Sequence, residues 1–164
     1  MDLDRAVSDL TPRLLRYCTA RTGSPSLGED VAHDALVALI QRWRSYGPPD
    51  SVEAFVFAIA RRRATRAALR QRLLVPIENL IGRRDGRRGP EDLTIDKSER
   101  DRAFTAIALL PPRDREALLL VVAAGLDTAA AATCLGISQS AFKVRTFRAR
   151  RRLAALLGNG HAGT

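Results

Sequence analysis

Between Ser138 and Arg152 the sequence SQSAFKVRTFRARRR sets Lys143, Arg145, Arg148, Arg150, Arg151 and Arg152 among helix-forming residues. Cations at this density repel one another unless an anion lies beside them. The chemistry they offer is recognition: paired hydrogen bonds from arginine to guanine edges, and contacts to phosphate. Nothing else in the chain points to bond making, since no Ser/His/Asp cluster, phosphate loop or metal-ligand spacing occurs. The expectation is a protein that is not an enzyme and holds no metal or cofactor. His33 and His161 stand at no ligand spacing from Cys18 or Cys134. Each cysteine sits inside a helical pattern and reads as a small buried apolar residue in a reducing compartment, with a disulfide or metal site as the alternative.

The elements that must position these cations follow from composition and periodicity. A chain of 164 residues is one domain or two small ones, and 46% hydrophobic content is enough to fold. Aromatics are only 5% and the apolar residues are mostly Ala and Leu, which favours an all-helical chain. A net charge of +9 points to a polyanionic partner, nucleic acid or an acidic protein face. The longest apolar run, ALLLVVAAGL, is too short to cross a bilayer, and the acidic start MDLDRAVSDL is unlike a signal peptide; this places the protein in the cytosol, away from membranes.

Two helical blocks emerge. In the first, residues 1–72, Ser26 with Glu29 forms a capping-box signature. Ala32, Ala35, Leu36, Leu39, Ile40 and Trp43 then recur at helical spacing as one buried stripe, ended by Gly47-Pro48-Pro49. Ser51 caps a following helix whose Phe55, Val56 and Ile59 face inward and which grows basic through Arg61, Arg62, Arg63, Arg66, Arg70 and Arg72. Residues 73–97 mix Pro, Gly and both charges without a period and read as a linker, with 82–92 its most open stretch. The second block, 98–158, starts at Ser98 and is punctuated by Pro111-Pro112, Gly125, Asp127, Gly136, Ser138 and Gly158.

A short helix, a turn holding Gly136, and a longer basic helix opened by Ser138 make a helix-turn-helix pattern. Phe142, Ala149, Leu153 and Leu156 share the inward face of the second helix; Ser140, Val144, Phe147, Arg148 and Arg151 lie opposite. The N-terminal part of such a helix enters the major groove, where Ser138, Gln139, Ser140, Ala141, Lys143, Val144 and Arg145 would meet bases. The anion is most simply duplex DNA.

LPPRDREALLLVVAAGL, LGISQSAFKVRT and FRARRRLAALL together resemble the C-terminal, upstream-element-binding domain of bacterial sigma factors of the extracytoplasmic-function group, in register from about Ala103 to Leu157. LGEDVAHDALVALIQRW and SVEAFVFAIARRR look like the N-terminal domain of the same family. The resemblance implies an all-α chain of two small helical domains joined by a linker. Its function would be to bind core RNA polymerase and direct it to promoter DNA. It implies that the stripe Asp30, His33, Asp34, Val37 and Gln41 meets core polymerase, whose β′ and β subunits are the partners. It implies promoter melting around Tyr46, Phe55, Arg61, Arg62 and Arg66, and regulation by an anti-sigma factor.

Several positions depart from the family pattern. His33 and Asp34 stand where Gln and Glu are usual; Phe55, Arg62 and Arg66 where Trp, Asn and Asp are usual. Ala130, Ala131, Ala141 and Val144 replace Glu, Ile, Thr and Ser. Losing Asn and Asp removes base-edge acceptors and adds phosphate-binding charge. Two other readings follow: a sigma-like mimic that occupies an anti-sigma factor without initiating transcription, or a regulator that uses the helix-turn-helix alone.

Overall fold

Asp2 opens the first helix by accepting a hydrogen bond from the Arg5 N–H at 2.8 Å. In the computed structural model, residues 2–74 and 95–159 are described. Helix α1 spans Leu3–Thr22, α2 Pro25–Tyr46, α3 Val52–Leu74, α4 Ile95–Ala108, α5 Pro112–Val122, α6 Thr128–Leu135 and α7 Gln139–Asn159. Every regular element among the described residues is a helix. Residues 75–94, the larger part of the expected linker and all of 82–92, lie outside the described residues.

The first three helices pack on one another. Where α1 meets α2 the backbones nearly touch: a Cβ on Gly28 would fall 2.8 Å from the Thr19 Cα, so only glycine fits that crossing. Capping places the start of α2 earlier than the sequence suggested. Pro25 occupies the first turn, where its missing N–H is no loss, and the Ser24 hydroxyl accepts from the Leu27 N–H at 3.4 Å. Ser24, not Ser26, is the cap. Ser51 caps α3 as expected, its hydroxyl 3.2 Å from the Ala54 nitrogen. The residues of α3 that reach deepest are Val56, Phe57, Ala60 and Ala64; Phe55 and Ile59 only flank that core.

In the second half α4 begins at Ile95, ahead of Ser98, and buries Ala106 and Ile107. Pro112 seats the first turn of α5, whose Ala117 to Leu120 are all buried. Asp127 caps α6 by accepting from the Ala130 N–H at 2.7 Å. The expected inward face of α7 holds through Phe142, Ala149 and the partly buried Leu153. Leu156 departs from it: it is exposed, because Leu153 is the last residue of α7 packed against the core. The helix also runs through Gly158 to Asn159.

The buried cores of the two halves are continuous. Tyr17, Phe57, Leu118, Leu119, Ala131 and Phe142 belong to one cluster, with α1 against α5 and α3 against α6.

Candidate nucleic-acid interface

The turn between α6 and α7 is built by three residues. Gly136 takes φ 66°, a left-handed conformation that costs glycine nothing, and lets its N–H bond back into the end of α6. Ile137 is half-buried against the shared core and fixes the angle of the turn. The Ser138 hydroxyl accepts from the Ala141 N–H at 3.1 Å and restarts helical bonding. The helix that follows is anchored on one side only. Phe142 and Ala149 are buried, and the buried Thr146 hydroxyl returns its proton to the Phe142 and Lys143 carbonyls, each at 3.0 Å.

On the other side Ser138, Gln139, Ser140, Ala141, Lys143, Val144, Phe147, Arg148 and Arg151 are all exposed, and Arg145 is half-buried. Phe147 is 62% exposed, an unusual position for a large apolar ring, and the Arg151 guanidinium stacks 5.9 Å from its centre. Arg152 differs from its neighbours: it pairs with Asp114 of α5, a largely buried carboxylate. That arginine ties α7 to its own domain.

The sites expected on the first half spread over two faces. Asp30, His33, Asp34 and Gln41 are exposed on α2 and Val37 is half-buried, so the stripe does lie away from Ala32, Ala35 and Leu39. Asp34 already has a partner within the chain, Arg63 of α3 at 2.7 Å. At the end of α2, Tyr46 is 80% exposed, with Arg42 stacked 5.3 Å from its ring centre while also donating to the Gly47 carbonyl. On α3, Arg62 and Arg66 are exposed, whereas Phe55 packs against the core. Arg61 is half-buried, and its Nε has no hydrogen-bond partner among the described residues.

The neighbour of Arg61 is Cys134 on α6. Burial pushes the Cys134 thiol up to about 11; Arg61 and Arg62 pull against that rise, and Glu116 adds to it. Cys18 rises to about 12 from burial alone. Both cysteines are free.

Residues that sequence reading did not single out join the halves. Tyr17 of α1 donates its hydroxyl proton to Glu116 of α5, and the Arg21 Nε bonds the other Glu116 oxygen at 2.7 Å. Burial, and then the Glu116 charge, raise the Tyr17 hydroxyl well above its ordinary value. Arg13 donates to the Ala124 and Gly125 carbonyls at 2.7 and 3.0 Å and to Glu53 of α3 at 2.5 Å. The available signal was spacing: Arg13, Tyr17 and Arg21 recur every four residues along α1, on a single face.

Both halves match known families. Residues 6–73 match Sigma-70 region 2, and residues 100–153 match Sigma-70, region 4. Over 158 residues the chain is 36% identical to the ECF RNA polymerase sigma factor ShbA of Streptomyces griseus, covering 88% of this chain and 82% of that one. The chain belongs to the ECF sigma factors.

A second member, SigD of Mycobacterium tuberculosis, is 34% identical over 92% of this chain and 74% of its own. Two solved structures share the fold. The sigma factor RpoE of Bartonella quintana, in complex with the anti-sigma factor NepR, gives a TM-score of 0.72 at 22% identity, over 94% of this chain and 96% of that one. CnrH, in complex with the cytosolic domain of CnrY, gives 0.70 at 20% identity, over 96% and 88%. In this sigma factor the turn at Gly136 and the open face of α7 fall in region 4, while the α2 stripe and the basic face of α3 fall in region 2. No described helix is long and apolar enough to cross a membrane.

Proposed function

We propose that this sigma factor binds core RNA polymerase in the cytosol and addresses it to a limited set of promoters. It supplies recognition and strand opening and is not itself an enzyme; synthesis belongs to the polymerase. Two units, residues 1–72 and 98–158, joined by 73–97, divide the work. Region 4 docks α7 in the major groove, with Gln139, Ser140, Lys143 and Arg145 toward bases and Arg148 and Arg151 toward phosphate or a guanine edge. Region 2 meets the β′ and β subunits through Asp30, His33, Asp34, Val37 and Gln41, and handles the opened strand with Tyr46, Phe55, Arg61, Arg62 and Arg66. An anti-sigma factor is the expected regulator, as for the two relatives of like fold that were solved in complexes.

The observation that carries this reading is the face of α7. A helix capped at Ser138 and anchored by Phe142 and Ala149 presents Val144, Phe147, Arg148 and Arg151 to solvent with nothing of its own chain over them. Exposed apolar atoms among cations suit a base edge or thymine methyl flanked by phosphates. Reconstituted transcription tests the whole proposal: core polymerase plus this chain, on templates taken from the sites it occupies in its own genome, should give defined start points. Stable binding of an anti-sigma factor with no transcript from any occupied site would favour the sigma-like mimic.

A further inference from the structure

The face of α1 formed by Arg13, Tyr17 and Arg21 grips region 4 at two places, the Glu116 carboxylate and the carbonyl end of α5. Helix α3 holds the same side chains from behind, since Glu53 pairs with Arg13 and the Thr65 hydroxyl accepts from Arg21 at 3.1 Å. Beside this grip the seam is imperfectly filled: a cavity of about 230 Å³ lies among Arg21, Thr65, Ala68, Leu69, Pro112 and Arg115. Further along, the half-buried Arg61 guanidinium of α3 lies against Cys134 of α6. A guanidinium covered in this way cannot also rest on a nucleic-acid phosphate.

We propose that Arg13, Tyr17 and Arg21 form a latch on Glu116 and the end of α5 that holds regions 2 and 4 together in the free chain, covers Arg61, and opens when the chain engages polymerase and promoter. The second part rests on the reading of Arg61 as a strand-handling residue. The chemistry of the seam suits a switch. Separating a buried ion pair returns both charges to water, and that hydration offsets much of the attraction lost. A seam gripped by such pairs is therefore closer to balance than an apolar seam of equal area. Binding that favours the open form needs only a modest differential affinity to shift the population.

The two native cysteines report the state of the latch. Cys134 faces Arg61 across the seam, while Cys18 is buried on α1 within the region 2 core. Opening should release the first and not the second. Labelling of the full chain by N-ethylmaleimide, read peptide by peptide in a mass spectrometer, should find both thiols protected. Tyr17→Phe with Arg21→Ala keeps the ring against Phe57 but removes both donors to Glu116. This variant should speed Cys134 labelling at least tenfold with Cys18 unchanged. Core polymerase with promoter DNA should do the same to the unaltered chain. Cys134 labelling in the free chain as fast as in denaturant would overturn the latch. If the double variant exposes both thiols together, Glu116→Gln replaces it, and its failure to free Cys134 alone would also overturn the latch. A latch that yields to these substitutions but stays shut in an active transcription complex would overturn the coupling to promoter engagement. The free-chain measurements need neither polymerase nor DNA, so they stand whatever becomes of the proposed function.

Discussion

Helices α3 and α7 carry the same kind of side chain on the same kind of scaffold, yet their surroundings divide them. Along α7 the cations from Lys143 to Arg151 are open to solvent except for Arg145, and the pairing partner within the chain comes only at Arg152. Along α3 the cations nearest the core are already engaged: Arg61 lies against α6 and Arg63 pairs with Asp34. Arginine content alone would make the two helices equivalent DNA-binding surfaces. Burial and partners make α7 a surface ready for an anion, and α3 one that must first let go of its own chain.

The largest effect that would sharpen this contrast comes from two aromatic residues. Tyr17 is fully buried with its hydroxyl on Glu116, and its ring meets Phe57 edge-on at 5.5 Å between centres. Tyr17→Ala should destabilise the chain by about 3–5 kcal/mol, through a cavity and a stranded carboxylate. Phe147→Ala should leave stability within about 0.5 kcal/mol, because the ring packs on nothing but Arg151. Urea unfolding of the two variants checks this. Equal losses would mean that α7 is packed as tightly on its outer face as the seam is.

Next come the cations of α7. If its first half reads bases, Arg145→Ala should cost about 1–3 kcal/mol on promoter duplex and relax preference at one position. If Arg151 meets phosphate, Arg151→Ala should weaken promoter and scrambled duplex alike and lower the salt slope by roughly one. Arg152→Ala should instead act on stability, since it strands the largely buried Asp114. Affinities on both duplexes at several salt concentrations separate the three. Equal losses on both duplexes for Arg145 and Arg151 would reduce α7 to an electrostatic cradle.

What the sequence disclosed follows the range of each interaction. Local chemistry was legible: the caps at Ser51, Asp127 and Ser138, the stop at Gly47, the left-handed turn at Gly136, and the face of α7 through Leu153 all depend on residues within a few positions. The start of α2 was misplaced because Ser24 and Ser26 both offer a hydroxyl, and only the fit of Pro25 in the first turn decides between them. The seam was not legible. Arg13 reaches carbonyls at Ala124 and Gly125, and Tyr17 reaches Glu116, partners about a hundred positions away that periodicity cannot name. Arg152 looked like its neighbours in sequence, and only the proximity of Asp114 in the fold removes it from the DNA-facing set.

The smallest expected effect concerns α2, where stability and binding should part company. Asp34 and Arg63 are each about half exposed, so the pair is worth less than about 1 kcal/mol, and Asp34→Asn should barely move the unfolding curve. Asp30 has no such pair among the described ion bridges, which makes it the cleaner probe of the polymerase face. Asp30→Arg alone, and with Asp34→Arg, should weaken co-purification with core polymerase while helicity stays unchanged. The double variant should lose more, since Asp34→Arg also sets a second cation beside Arg63 and disturbs the α3 side of the same face. Undiminished recovery of polymerase with the double variant would move the contact off this stripe. The half-buried Val37 would then be a fringe of the α2–α3 packing, and the engaged and open arginines of α3 would have to be sorted without reference to α2.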